Sequence, residues 1–293
     1  MGKWIVRAVV VLLIGAGWFV YDWTRSSLQQ MAEQVVYSAE QDAPGQIVSV
    51  NGRKMHVLIK GDLNADPTGA PLVLLHGFSI GAYVSWCPWA DTLSDDRSLI
   101  IPDMLNFGHS ERVIEPHGDL THRGQATLLD GLLEELGLDQ VDLVGRSYGG
   151  AVGTQLILDH PGRVRRVAYV GAHIYHDDDF LIQKELSRLP FGIGKAMTWK
   201  SIAGGGFVAQ KCAETGEQCA RQRILLIKGT VDGLHALNAL EQDSRTPSDI
   251  GQVSVPSLVI WGGDDPIVPL EDGQRLAKVL DTEIKIVPGA GHW

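Results

Sequence analysis

Apolar and polar positions along the chain follow several rhythms, and the chain divides where one gives way to the next. The first is a run apolar on every side, Ala8 to Val20, with Lys3 and Arg7 before it and Trp4, Trp18, Tyr21 and Trp23 around it. Ser26 to Glu40 is polar with apolar positions at Leu28, Met31, Val35 and Val36, which predicts a polar helix or tether. Ile47–Val50 and Met55–Ile59 flank Asn51-Gly52 and predict a β-hairpin on a two-residue turn. Residues 61–69 read as a loop by composition. A continuous apolar run at Pro71–Leu75 and a second buried stretch at Ser98–Ile101 read as strands buried on both faces of a parallel sheet, and Val141–Val144 and Val164–Val170 read as further strands. Leu128, Leu129, Leu132, Leu133 and Leu136 repeat at helical spacing, and Gly137 stops that helix.

From Ala172 to Ser254 no buried strand is predicted, only helical stretches at Asp179–Leu189, Gln222–Lys228 and Asp232–Leu240 around the glycine patch 204–206. Alternation resumes with Ser257–Trp261, a helix around Gln274–Leu280, and Glu283–Val287. The expected fold is α/β, a mostly parallel sheet flanked by helices, with an inserted helical cap. The expected division is an N-terminal membrane anchor over 1–25, a tether over 26–45, a core over 46–171 and 255–293, and the cap over 172–254.

A chain of 293 residues with 44% apolar and 20% charged residues is globular in bulk rather than disordered. Its net charge of −10 argues against a nucleic-acid partner, which needs a basic face. Cys212 and Cys219 lie seven apart in a polar stretch, where a small disulfide ring and two unpaired thiols are equally open readings; Cys87 is the third cysteine. No Cys or His spacing suggests a metal site, and no cofactor is expected.

Three readings compete for the N-terminus: a cleaved signal peptide, an uncleaved transmembrane anchor and a buried core helix. Residues 4–23 match a bilayer core of about 30 Å at 1.5 Å per residue. Cleavage after Gly15-Ala16-Gly17 would leave a short apolar region, and a core helix does not suit an all-round apolar run behind positive charge. The anchor is therefore the expectation. Lys3 and Arg7, set against Arg25 with Asp22, orient it with the catalytic domain on the periplasmic or extracellular side.

Candidate chemistry centres on Gly145-Arg146-Ser147-Tyr148-Gly149-Gly150, between the strand from Val141 and the helical run Ala151–Leu158. A serine at such a strand-to-helix turn has strained backbone angles and an exposed hydroxyl, and Gly145 and Gly149 give the turn room. The amide of Tyr148 then lies at the start of the helix. A serine nucleophile needs a base, and the base an acid. Asp264 and Asp265 follow one strand, and His292 follows the next.

Together these features resemble an α/β-hydrolase-fold serine hydrolase of the lipase/esterase type. The matching stretches are His76-Gly77-Phe78, the Asp103…Gly108-His109-Ser110 loop, Gly145-Arg146-Ser147-Tyr148-Gly149, Trp261-Gly262-x-x-Asp265-x-x-x-Pro269 and Gly291-His292. The resemblance implies Ser147 as nucleophile, His292 as base and then acid, and Asp265 rather than Asp264 as its orienter. It places the oxyanion hole at the amides of Phe78 and Tyr148, with Gly77 as a motif glycine. It implies structural roles for His76 and Asp103, the latter bracing a loop. His109, His117, His122 and His173 are expected on the surface or cleft wall, and Trp86 and Trp89 in the core.

Two departures stand out. Asn106 replaces the family's glycine after Asp103, and the chain stops one residue after His292, where the family continues into a last helix, which leaves a fragment as an open reading. The implied activity is cleavage of a small-molecule or lipid ester through an acyl-serine intermediate. Serine at the elbow sets the chain apart from haloalkane dehalogenases and epoxide hydrolases, which carry aspartate there. The rivals are a carbon–carbon bond hydrolase of ring-cleavage products and a ligand-binding homologue of slow turnover.

Overall fold

The computed structural model describes residues 2–34, 38–40, 43–65, 69–78, 81–175, 185, 189–204, 224, 226–240 and 247–292. The hairpin forms as read: β1 (Gln46–Val50) and β2 (Arg53–Lys60) pair antiparallel around Asn51 and Gly52, both at positive φ. The sheet continues through β3 (Leu72–Leu75), β4 (Leu99–Pro102), β5 (Val141–Arg146), β6 (Val164–Val170), β7 (Ser257–Gly262) and β8 (Ile284–Val287). Its order is β1-β2-β4-β3-β5-β6-β7-β8, antiparallel up to the β2–β4 pair and parallel from there on.

The apolar runs become strands because their period of two serves both faces at once. In β3, Val73 and Leu75 join the larger core with α3 (His122–Glu135) and α4 (Tyr148–Asp159), while Leu72 and Leu74 pack with Trp86 of α2 (Ala82–Ser94) on the other face. Each such leucine contributes about 1.5–3 kcal/mol on burial. Thr121 caps α3 by accepting from the Gly124 amide at 3.1 Å, and Gly137 at φ +70 follows its end. At the amino-terminal edge of β5, buried Asp142 accepts from Arg97, Arg165 and Arg166, which tie the starts of neighbouring strands together. Edge strand β8 leaves Ile286 and Val287 exposed.

Between β6 and β7 the described residues carry helices: α5 (Ile193–Gly204), α6 (Thr230–Ala239) and the short α7 (Pro247–Ile250); α8 (Leu270–Val279) covers β7 and β8. Helix α6 matches the expected Asp232–Leu240, whereas α5 has no counterpart in the expectation. Of the expected helix at Gln222–Lys228, residues 222, 223 and 225 lie outside the described residues; Ile224 is helical, and 226–228 are turn and bridge rather than helix. Most of the expected helix at Asp179–Leu189 lies outside the described residues, as do Cys212, Cys219 and two glycines of the patch.

The N-terminal run and the start of the polar tether form one helix, α1 (Gly2–Gln34). Its expected crossing of a membrane over residues 4–23 is not supported, because among the described residues no helix is long and apolar enough to cross one.

Behind the first helix, the chain is fastened to the core by two histidines. His56 Nδ1 donates to Asp103 Oδ2 at 2.7 Å and its Nε2 to the Pro44 carbonyl, while His109 Nδ1 donates to the Ala39 carbonyl at 2.7 Å. Two donated bonds require the imidazolium form of His56. Burial opposes that charge, but the bond to Asp103, its attraction and the Pro44 bond raise the pKa above the ordinary 6.5. A raised folded value means stability that is complete below about pH 6.5 and lost as pH climbs through the folded value. Urea unfolding of the wild type and His56→Gln should therefore differ most below about pH 6.5 and draw closer as pH climbs above it. A gap that stays constant with pH would place the stabilisation elsewhere.

Candidate active site

Strand β5 ends at Arg146, and the chain turns through Ser147 into α4. Ser147 sits at φ +50 and ψ −122, a conformation that costs a non-glycine residue about 1–3 kcal/mol. Three backbone bonds hold it there: its N–H donates to the Val170 carbonyl at 3.1 Å, and its carbonyl accepts from Gly150 at 2.9 Å and His173 at 3.0 Å. The glycines around it are demanded by space. A Cβ on Gly145 would stand 2.7 Å from Gly150 Cα, one on Gly149 would stand 2.6 Å from the His76 carbonyl, and one on Gly77 would stand 2.9 Å from Ser147 Cβ.

The two other predicted residues meet at the same edge. His292 Nδ1 donates to Asp265 Oδ2 at 2.8 Å, with both side chains buried. The second oxygen of Asp265 accepts the amides of Ile267 at 2.8 Å and Val268 at 2.9 Å, so the turn itself orients the carboxylate. Asp264 is exposed and engages only its backbone amide here, donating to the Ala290 carbonyl at 2.9 Å. Gly171 stands between strand ends, where a Cβ would lie 3.4 Å from both Asp265 Oδ2 and His292 Nδ1. Arg146, immediately before Ser147, donates to the His292 carbonyl at 3.1 Å and so joins the elbow to the histidine loop. Burial lowers its pKa, and the Asp265 charge opposes that. With Nδ1–H given to Asp265, Nε2 is the nitrogen left to take a proton.

The loop after β3 supplies the facing wall. His76 Nδ1 donates to the Gly77 carbonyl at 2.7 Å and its Nε2 accepts from the Met104 amide at 3.0 Å, the pattern of a neutral ring. Full burial lowers its pKa accordingly. Half-exposed Phe78 stacks edge-on against Tyr148 at 6.1 Å and Phe107 at 5.4 Å, and His122 lies 5.0 Å from the Tyr148 ring. Asp103 braces this wall: Oδ1 accepts the Ala82 amide at 2.6 Å, and Oδ2 accepts the His109 amide at 2.8 Å besides His56. Burial would raise its pKa, but the hydrogen bond and positive charge of His56, with the His109 amide, hold it well below the usual carboxylate range.

Several side chains differ from expectation. Of the histidines expected on the surface or cleft wall, His109 is buried against His56 in the bracing network, and His122 is buried against the Tyr148 ring. Trp86 is in the core, whereas Trp89 is exposed one turn further on. Asn106 holds the positive φ of +72 that the family's glycine would, and its amide bonds to the Val113 and Gly233 carbonyls at 3.0 and 2.8 Å. With Arg112, which donates to Thr230 Oγ1 at 3.1 Å, it clamps α6 of the cap to the core. His56 and Arg146 were missed as supports, since only the folded chain brings them to Asp103 and His292. Among the described residues no group of three or more His, Cys, Asp or Glu is placed to hold a metal ion.

Residues 70–293 match the sequence profile of the alpha/beta hydrolase fold. Among relatives, the chain is 29% identical over 269 residues to the 2-hydroxy-6-oxo-2,4-heptadienoate hydrolase of Pseudomonas putida, covering 80% of this chain and 87% of that protein. It is 27% identical over 269 residues to the 2-hydroxymuconate semialdehyde hydrolase of a Pseudomonas species, covering 80% and 84%. Among solved structures, a thermophilic esterase from Thermogutta terrifontis superposes with a TM-score of 0.64 at 22% identity, covering 85% and 92%, a likeness of fold alone. With the profile spanning the elbow, the acid and the histidine, the chain belongs to the α/β-hydrolase fold family.

Proposed function

We propose that this protein is a serine hydrolase that cleaves a carbon–carbon bond in 2-hydroxy-6-oxo-dienoates, the products of aromatic ring cleavage. The Asp265–His292 bond beside the strained Ser147 supports the nucleophilic chemistry. The names of the most similar relatives support the substrate class and favour it over the ester expected from the sequence.

In this reading Ser147 Oγ loses its proton to His292 Nε2 and attacks the 6-oxo carbonyl, whose developing oxyanion meets the amides of Phe78 and Tyr148. With the substrate as its keto tautomer, the 2-hydroxyl proton having moved to C5, collapse breaks the C5–C6 bond and the electron pair is taken up by the conjugated 2-keto acid. His292 returns its proton to that fragment, which leaves. Water, deprotonated by His292, then hydrolyses the acyl-serine, releasing a carboxylic acid and restoring Ser147. Asp265 orients the ring and offsets its transient charge.

We also propose that the amino-terminal part of α1 holds the protein on a lipid surface. Leu12, Leu13, Ile14, Trp18, Phe19 and Tyr21 are all exposed, and an apolar face of this extent marks an interaction site.

Turnover of 2-hydroxy-6-oxo-2,4-heptadienoate against p-nitrophenyl esters from acetate to palmitate tests the activity. The kcat/KM for the dienoate should exceed that for any ester by about a hundredfold or more. The opposite ranking would return the reading to an esterase, and tight binding without turnover of either would indicate a binding protein. For the lipid contact, the full chain should sediment with phosphatidylcholine vesicles, and the double variant Leu13→Asp, Phe19→Asp should not. Equal sedimentation of the two would remove α1 as the attachment.

A further inference from the structure

Helix α1 changes its surroundings at Trp23. Beyond that residue, Thr24 and Ser27 are buried and Leu28 and Met31 half-buried, a stripe at helical spacing that packs on α5 of the cap. Leu28 Cδ1 lies 3.0 Å from where a Cβ would stand on Gly192, and Lys200 Nζ donates to Gln30 Oε1 at 2.8 Å. Before Trp23 there is no such stripe: the side chains from Leu12 to Tyr21 are exposed on every side. Successive residues turn by about 100°, so Leu12, Leu13, Ile14, Trp18, Phe19 and Tyr21 point all around the axis. A groove on a protein partner covers one stripe of a helix, whereas a fluid apolar medium covers every side of it.

The change of surroundings falls beside a second apolar feature. In the turn that leads into α5, Leu189 is 39% exposed and Phe191 is 92% exposed. Phe191 also holds φ at +58, a region that costs a bulky residue strain. Its neighbour Gly192 faces Leu28 and Thr24, and Thr24 is the first buried residue of α1 among its described side chains. The Phe191 ring therefore stands beside the level at which the apolar part of α1 leaves the fold.

We propose that one lipid bilayer surface takes both features: the apolar part of α1 inserts, and the cap rests on the headgroups with Leu189 and Phe191 dipped into the acyl boundary. The part of α1 that packs on α5 fixes the distance between the two contacts. Helix α5 is in turn tied to α6 through Lys195 and Asp232, and α6 to the core loop through Asn106. The bilayer thus bears on the cap directly as well as through α1.

The test uses the full chain in phosphatidylcholine vesicles, with photo-crosslinking benzoylphenylalanine replacing Phe191, Phe19 or Trp89 in turn. After irradiation, mass spectrometry should find a gain of one lipid at positions 19 and 191 and none at exposed Trp89. A lipid adduct at 19 without one at 191 would overturn the cap contact while leaving attachment through α1 intact. Crosslinking of 191 to a second copy of the chain would overturn it in favour of self-association. No adduct at either position would overturn lipid association as a whole. None of these readings depends on which bond the enzyme cleaves.

Discussion

The 2.8 Å bond from His292 to Asp265 is the interaction on which the arrangement of this protein turns. It joins the loops after the last two strands, and it forms only because those strands lie next to each other in register, Gly262 opposite Val287. Room for it is made by small residues. A Cβ on Gly262 would come within 2.2 Å of the Gly291 carbonyl, so the histidine loop can close over the acid's strand only where that strand ends in glycine. Parallel pairing of β5, β6 and β7 then sets Ser147, Gly171 and Asp265 side by side along one sheet edge.

A second aspartate–histidine pair shows what separates support from chemistry. Asp103 and His56 are as deeply buried and as closely bonded as Asp265 and His292. Yet His56 gives its other nitrogen to the Pro44 carbonyl, and Asp103 spends its remaining capacity on backbone amides at the start of α2 and at His109. Both nitrogens of that ring are committed to holding the chain, so it cannot carry a proton to a substrate without releasing the tether. At the other pair, Nδ1 is committed to orientation, and the elbow is supplied by β5, two strands away from β7 in the sheet.

The local features were legible in the sequence. Continuous apolar runs gave the strands, Asn51-Gly52 the hairpin, and the glycine spacing the elbow, because each rests on neighbours in the chain. Asp265 could be separated from Asp264 only by resemblance, and in the structure it is Asp265 that meets His292, with its second oxygen held by the amides of Ile267 and Val268. Contacts across the chain left no such mark. Nothing local announces that Asn106 reaches Gly233 across 127 residues, or that Arg146 reaches the His292 carbonyl. Helix α5 was missed because the stripe it covers belongs to α1, far away in sequence, and the exposed Trp89 was misplaced because its neighbour Trp86 is in the core.

The central claim is that Asp265, through its bond to His292, sets the base that activates Ser147. The direct measurement is kcat of Asp265→Asn and Asp264→Asn on one substrate, with folding checked by circular dichroism. Loss of the orienting carboxylate lets the ring take the wrong tautomer, and Asp265→Asn should lower kcat by about 10⁴ with KM nearly unchanged. Asp264 faces solvent, and Asp264→Asn should stay close to the wild type. The reverse ranking, or two fully active variants, would contradict the account and move the catalytic acid elsewhere.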